Sequence, residues 1–382
     1  MEFQKEKVTR PGLWARLAAL VLSCVLALSL GGCSDLAGAV GDLAGQNTPG
    51  APVTGTEVSG NFEMHFIDVG QALSVLVTCD GVSMLYDGGN VDDGSLVVSY
   101  LQNQGVERLE YVFCSHAHED HVGGLAAALA AIPAGHVYAP VTSADTKCFS
   151  DFVKYTQQQG LAVEVPAVGT TWALGGATVQ LLGPVAQYDD TNDTSLVLRI
   201  DYGQTSFLLT GDMESDAEKD LVESGANLDV DVLQVGHHGS ETSTSYVFLN
   251  EVLPEMGVIS VGTGNSYGHP HEAALSRLRD AGVDVYRTDL MGTITIASDG
   301  TNYTVGSEHY VPTEQQNPTL TDGSGQMAES TPAETTYIGN VNSKKFHLPT
   351  CPNLPAEQNQ ILFSSYDQAI AEGYSPCGTC LK

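Results

Sequence analysis

Within six residues, His116-Ala117-His118-Glu119-Asp120-His121 offers four potential metal ligands, directly after the apolar run Tyr111–Cys114. A strand that ends in such a cluster delivers its side chains into a loop, where they converge in a way that residues spread around a helix cannot. Imidazole with carboxylate suits zinc, and also manganese or iron. A lone histidine is usually packed or solvated. The H-x-H-x-D-H spacing instead makes a bound metal the feature around which the rest of the chain has to fold.

Short apolar runs rich in Val, Ile, Leu and Tyr surround the cluster, separated by Gly and Asp. Phe62–Ile67, Leu73–Thr78, Val82–Tyr86 and Glu110–Cys114 read as strands, with Cys79-Asp80-Gly81 as a hairpin turn. Val122–Ala131 reads as a helix. Further strands are expected at Ala177–Leu182, Ser195–Asp201, Thr205–Thr210, Asp229–Val235 and Gly257–Val261. A helical spacing over Glu272–Ala281 and strands at Val283–Arg287 and Thr293–Ala297 close the block. Two strand-rich halves with interspersed helices predict a layered α/β sandwich rather than a doubly wound parallel sheet.

The ends differ from this body. Lys5, Lys7, Arg10 and Arg16 precede an apolar run, Leu17–Leu30, that reads as a secretory signal. It closes with Leu30-Gly31-Gly32-Cys33, which resembles the lipobox of bacterial lipoproteins. That resemblance implies cleavage after residue 32, acylation of Cys33 and a body held at the outer face of the cytoplasmic membrane. An uncleaved transmembrane anchor is the alternative, and it also puts the body outside the cytoplasm. Residues 33–60 are small and polar, as in a tether. With 46 acidic and 15 basic side chains the formal charge is -31. A chain this acidic is not an electrostatic nucleic-acid coat, because phosphate neutralisation needs clustered Lys and Arg.

Several phrases together resemble the metallo-β-lactamase superfamily: the histidine cluster, Tyr86-Asp87-Gly88-Gly89 before it, then Leu209-Thr210-Gly211-Asp212 and Gly236-His237-His238-Gly239-Ser240. The wording is closer still to the extracellular hydrolase domain of the ComEC DNA-uptake family. Phe66-Ile67-Asp68-Val69-Gly70-Gln71, Asn192–Leu198 and Asn265-Ser266-Tyr267-Gly268-His269-Pro270 carry that likeness over about residues 61–307. No run resembles that family's many membrane spans, so the chain reads as a hydrolase and not as a channel.

The resemblance implies an αββα sandwich of four layers and two divalent ions, zinc or manganese. His116 and His118 would hold one ion, Asp120 and His121 the second, and Asp212 would bridge them. One of His237 and His238 would complete the second site, with His237 slightly favoured. Asp120 would also steer a metal-bound hydroxide, and Asp87 would support the loop. His269, with Asn265 and His271 in the same loop, would orient substrate or assist the leaving group; a turn whose histidines merely pack is the alternative. Two departures stand out. Asn192 stands where the superfamily commonly has a third histidine, and Ala72-Leu73 replaces the Gly-Asp that usually follows Asp-Val-Gly-Gln.

Residues 308–336 read as a polar linker, and 337–382 as a separate small module. His347-x3-Cys351 and Cys377-x2-Cys380, separated by 25 residues, form a structural-zinc signature. The flanking text resembles the Ada metal-binding module, with His347 in place of its first cysteine. A Cys79–Cys148 bridge is left open.

The expected function is hydrolysis of phosphodiesters, DNA foremost, by a metal-bound hydroxide. A smaller lactone, thioester or envelope phosphoester is the alternative substrate class. A surface lipoprotein that only binds DNA or a partner is the non-enzymatic alternative. No protein partner is inferable.

Overall fold

The computed structural model describes residues 53–54, 61–318, 337–348, 351–363, 369–370 and 372–381. The expectations for the signal segment 1–32, for Cys33, for most of the tether 33–60 and for linker residues 319–336 lie outside them.

Strand periodicity builds two sheets. In the first, Phe62, Met64 and Phe66 alternate onto one face, as do Val75 and Val77 of the neighbouring strand. These residues meet Leu181, Leu198, Ile200, Phe207 and Leu209 of the second sheet in a dry central layer. The opposite face of the first sheet carries Leu76, Leu85, Val112 and Val137, covered by Val97, Leu101, Leu125, Leu129, Phe149 and Phe152 from helices Gly94–Asn103, Leu125–Ala131 and Lys147–Gln158. The outer face of the second sheet, with Leu208, Leu233 and Ile259, is covered by Leu221, Phe248 and Leu278 from helices Ser215–Glu223, Tyr246–Val252 and Glu272–Asp280. The result is the αββα sandwich.

Both sheets are mixed. The first has nine strands, with Val82–Tyr86, Leu109–Phe113, Ala134–Tyr138 and Val163–Glu164 running parallel at one side. The second has seven, with Thr205–Leu209, Val232–Gln234, Met256–Ile259 and Asp284–Arg287 parallel. Parallel strands joined by helices put their carboxyl ends on one edge, where open α/β sheets gather ligands. Tyr86, Phe113, Leu209 and Gln234 all end there, each just before a phrase of the sequence signature.

The expected strands form within a few residues of their predicted limits. At the hairpin, Asp80 (φ 49°) and Gly81 (φ 80°) both take left-handed backbone, as a two-residue primed turn requires. The helix expected over Val122–Ala131 is broken into Glu119–Val122 and Leu125–Ala131. The break comes at Gly123-Gly124, where the backbone presses on the loop after Tyr86. A Cβ on Gly124 would stand 2.0 Å from the Gly88 carbonyl oxygen. Cys79, Cys114 and Cys148 are free and buried. A Cys79–Cys148 bridge is not formed, because Cys79 lies between the sheets and Cys148 under the outer helices.

The segment expected to be linker from residue 308 belongs to the body as far as Asn317. Gln316 is fully buried and accepts from Arg287 N at 2.7 Å, and Asn317 donates to the Leu275 carbonyl at 2.9 Å. The small C-terminal sheet, ordered Gln360–Phe363, Tyr337–Asn340, Lys345–His347, Ser375–Pro376, packs Tyr337, Phe346, Phe363 and Tyr374 around Tyr246 of the body. Its core is therefore shared with the larger unit.

Residues 240–245, which follow the paired histidines, are clamped from two helices. Glu218 accepts from Ser245 N at 2.9 Å and from Thr244 N, while Arg277 donates to the carbonyls of Ser243 (2.7 Å), Thr244 (2.8 Å) and Glu241 (3.0 Å). Burial lifts the Glu218 carboxyl from 4.5 to about 6, against the pull of those hydrogen bonds. A carboxyl raised by folding contributes most below its unfolded pKa and loses that contribution as pH rises through about 6. The stability advantage of wild type over Glu218→Gln is therefore expected to be larger at pH 5 than at pH 7.5 by about 1 kcal/mol. Urea unfolding of both proteins at the two pH values measures it, and an advantage that does not change with pH refutes it.

Candidate metal centre

Asp87 is the first residue past the strand Val82–Tyr86. It is fully buried and held in left-handed backbone at φ 60°. Its two oxygens are both used: Oδ1 accepts from Ser115 N at 2.6 Å and Oδ2 from His121 Nδ1 at 2.8 Å. This fixes the His121 ring so that its Nε2 lies 3.1 Å from Asp212 Oδ2. Asp212 comes from the other sheet, at the turn after Thr205–Leu209, so the two halves of the sandwich meet at this pair.

The other rings are tied in the same way. His116 Nδ1 lies 3.0 Å from Ser115 Oγ, and its Nε2 is 3.0 Å from His118 Nδ1 and 4.0 Å from Asp212 Oδ2. His238 Nδ1 donates to the Ser260 carbonyl at 2.9 Å, leaving Nε2 at 3.4 Å from Asp120 and 3.6 Å from Asp212. His237 Nδ1 is 3.1 Å from Glu214 Oε1, and its Nε2 is 3.7 Å from Asp212. An imidazole anchored by one nitrogen presents the other, which is how ligating histidines are usually held.

Asp120, His121, Asp212 and His238 offer ligand atoms that all lie within 4.8 Å of one another. The grouping draws in His238, where the sequence favoured His237, and the ring anchors account for it: Ser260 turns the His238 ring toward Asp120 and Asp212, while Glu214 holds the His237 ring. Both residues are left-handed, His237 at φ 49° and His238 at φ 53°, and they send their rings to different partners. Three buried atoms of this group, His121 Nε2, Asp212 Oδ1 and His238 Nε2, have no hydrogen-bond partner among the described residues. Buried polar atoms are rarely left unpaired, and these converge from two sheets, so the donor set fits a divalent cation. His116 Nε2 and His118 Nδ1 fit a second ion, since two nitrogens on one tetrahedral zinc stand ~3.3 Å apart.

Charge reinforces the arrangement. Burial pushes the Asp212 carboxyl up, but His121 and His238 beside it hold it well below the usual carboxylate range. Asp120 is likewise held down by His121 and His238 despite its burial. Burial, with His121 beside it, pushes His116 well below the ordinary histidine value and keeps it neutral, as a ligand must be.

A cleft of about 360 Å³ opens over these atoms, lined by Gln71, His118, Glu119, Asp120, Asn192, Asp212, His237, His238, Tyr267 and His269. His269 is fixed by Gln71, whose amide nitrogen is 3.2 Å from Nδ1 and whose oxygen accepts from Gly262 N at 3.2 Å. The amide can only donate, so the proton of a neutral His269 sits on Nε2. Burial and the nearby His237 and His238 lower its pKa to about 4. Asn192 lines the cleft with Oδ1 unpaired among the described residues and Nδ2 donating to Glu214 at 3.1 Å. Asn265 is a scaffold for its loop, bonding Gly262, Tyr267 and His269 backbone atoms. His271 bonds Glu241 N and the Tyr267 carbonyl and is not among the cleft-lining residues. Leu73, at the position of the missing acid, donates its N–H to the Asp120 carbonyl at 3.0 Å, so a backbone contact with this loop remains.

Sequence reasoning missed Glu214, which accepts from Asn192, from Thr242 at 3.0 Å and from the His237 ring. Its one signal is its place two residues after Asp212, and among 46 acidic side chains that is weak.

Residues 67–262 match the family model described as Metallo-beta-lactamase superfamily. The chain belongs to the metallo-beta-lactamase superfamily. It is 38% identical over 230 residues to Competence protein ComA of Neisseria gonorrhoeae, covering 59% of this chain and 31% of that protein. It is 30% identical over 263 residues to ComE operon protein 3 of Bacillus subtilis, covering 62% and 33%. The chain thus spans about a third of the length of the curated relatives it matches. The crystal structure of YhfI, a metallo-beta-lactamase fold protein from Bacillus subtilis, aligns with TM-score 0.40 at 15% identity, covering 59% of this chain and 96% of that one.

Residues 326–382 match the model described as Metal binding domain of Ada. There His347, Cys351, Cys377 and Cys380 bring their ligand atoms within 4.8 Å of one another. His347 Nδ1 stands 3.4 Å from Cys351 Sγ and 4.0 Å from Cys380 Sγ. Burial pushes the Cys377 thiol up, but N–H groups of Thr379 and Cys380 bring it below its usual value, which favours the thiolate that zinc needs. In elemental analysis after dialysis, Cys377→Ser is expected to lose the module's zinc and keep the body's metal. His238→Ala is expected to weaken metal retention by the body more than His237→Ala does. Equal losses in the two histidine variants would return His237 to the second site.

Proposed function

We propose that this protein is a phosphodiesterase that cleaves DNA, held at the outer face of the cytoplasmic membrane through a lipid on Cys33. The observation that carries the hydrolytic part is the convergence of Asp120, His121, Asp212 and His238 beside the His116–His118 pair, with three buried atoms left for a cation. The competence names of the relatives support DNA as the substrate.

His116 and His118 would hold one divalent ion, and Asp120, His121 and His238 a second, with Asp212 between them. Zinc or manganese bound there supplies Lewis acidity and an activated water. The chain's own residues do the rest. Asp87, Ser115 and the Ser260 carbonyl keep His121, His116 and His238 in position before substrate arrives. His269, neutral with its proton on Nε2, donates a hydrogen bond to the phosphoryl group or to the departing oxygen. Asn192 lines the cleft, its buried amide oxygen without a partner among the described residues and its nitrogen held by Glu214.

A small phosphodiester or other ester is the second reading. It is favoured by one observation: none of the cleft-lining residues is Lys or Arg. Hydrolysis of bis-p-nitrophenyl phosphate and of labelled DNA, with manganese or zinc, separates the two. DNA cleavage is expected, lost on chelation and reduced at least about 100-fold in Asp120→Asn. Cleavage of the small diester alone would replace DNA by a small substrate.

A further inference from the structure

We infer that Tyr267 is a stacking platform for an unpaired nucleobase next to the scissile phosphate, so that the cleft takes single-stranded rather than duplex DNA. This deepens the phosphodiesterase reading and rests on it.

Tyr267 is a large aromatic side chain at the mouth of the cleft, and 68% of its surface is exposed. Its ring lies nearly parallel to that of His269, with centroids 5.7 Å apart and planes 25° apart. His269 therefore backs the ring while most of its area is left to solvent.

The loop beneath is built to hold this pose. Asn265 Oδ1 accepts from Tyr267 N at 3.1 Å and His269 N at 3.0 Å, and its Nδ2 donates to the carbonyls of Gly262 and His269. His271 Nε2 reaches the Tyr267 carbonyl at 3.2 Å. An exposed aromatic on a braced loop is pre-ordered for a flat partner, so little freedom is lost when one binds.

Charge decides what that partner is. Among the described residues that line the cleft there is neither Lys nor Arg, and the whole chain carries -31. Counterion release by basic side chains at the described cleft lining therefore does not supply affinity for a phosphodiester chain. Ring stacking supplies affinity without regard to sequence, because every base has a π-face. In duplex DNA those faces are already stacked, so a single ring at a cleft mouth reaches only an unpaired or frayed base.

The test is equilibrium binding by the full-length, metal-loaded protein, with phosphorothioate-linked oligonucleotides to suppress turnover. Fluorescence anisotropy would follow a labelled single-stranded oligonucleotide, its abasic counterpart and a blunt duplex. Tyr267→Ala is expected to weaken binding of the normal single strand about 10-fold, the scale of one lost base–aromatic stack. Tyr267→Phe is expected to stay within about 2-fold, since the ring face is kept. The abasic strand and the duplex are expected to bind weakly and to be indifferent to Tyr267→Ala. The proposal is overturned if the parent does not bind the single strand, if Tyr267→Ala binds it as the parent does, or if normal and abasic strands lose affinity alike. Failure of the stacking idea leaves wild-type DNA cleavage in place, whereas failure of the phosphodiesterase reading shows as its absence.

Discussion

A buried carboxylate with both oxygens committed organises this protein's site. Asp87 ties the N–H of Ser115 to the ring of His121, and so joins the ends of two parallel strands. Left unpaired in a fully buried position, such a charge would be strongly destabilising. Paired in this way, it makes the loop between Phe113 and His121 a fixed object. Everything further out follows from that placement: His121 faces Asp212 across the junction of the two sheets, and Gly124 must lie flat against the Gly88 carbonyl. The left-handed backbone at Asp87, a strained state for a residue with a side chain, persists because these contacts over-determine it.

Much of the fold was legible because the central strands obey a simple rule. Phe62, Met64 and Phe66 alternate, and the runs before Asp87 and His116 are apolar on both faces, as strands covered on both sides should be. Less legible were helices such as Lys147–Gln158, where only Cys148, Phe149, Phe152 and Thr156 are buried, and the apolar signal is correspondingly thin. The packing of Gln316 and Asn317 was hidden for a related reason. Polar residues in a polar stretch look like linker until a partner such as Arg287 N is supplied by the fold.

The site divides along the same line. Residues clustered in sequence, His116 to His121, declare themselves by spacing. The rings of the His237-His238 pair are steered by Glu214 and the Ser260 carbonyl, and no spacing rule encodes that. Glu214 and the Ser260 carbonyl act from elements remote in sequence from most of the residues they steady, and one of them is a backbone atom that any residue type would provide.

Tyr246 has a second life at the far end of its helix's surroundings. It lies in the aromatic core of the C-terminal sheet, with Tyr337, Phe346 and Phe363, and its hydroxyl donates to Asp280 of the body. Cutting the chain at the linker would therefore take those three rings away from Tyr246, the first residue of the helix that begins where the clamped loop ends. A body prepared in isolation then loses packing at the start of that helix, and a fall in its stability would say nothing about zinc.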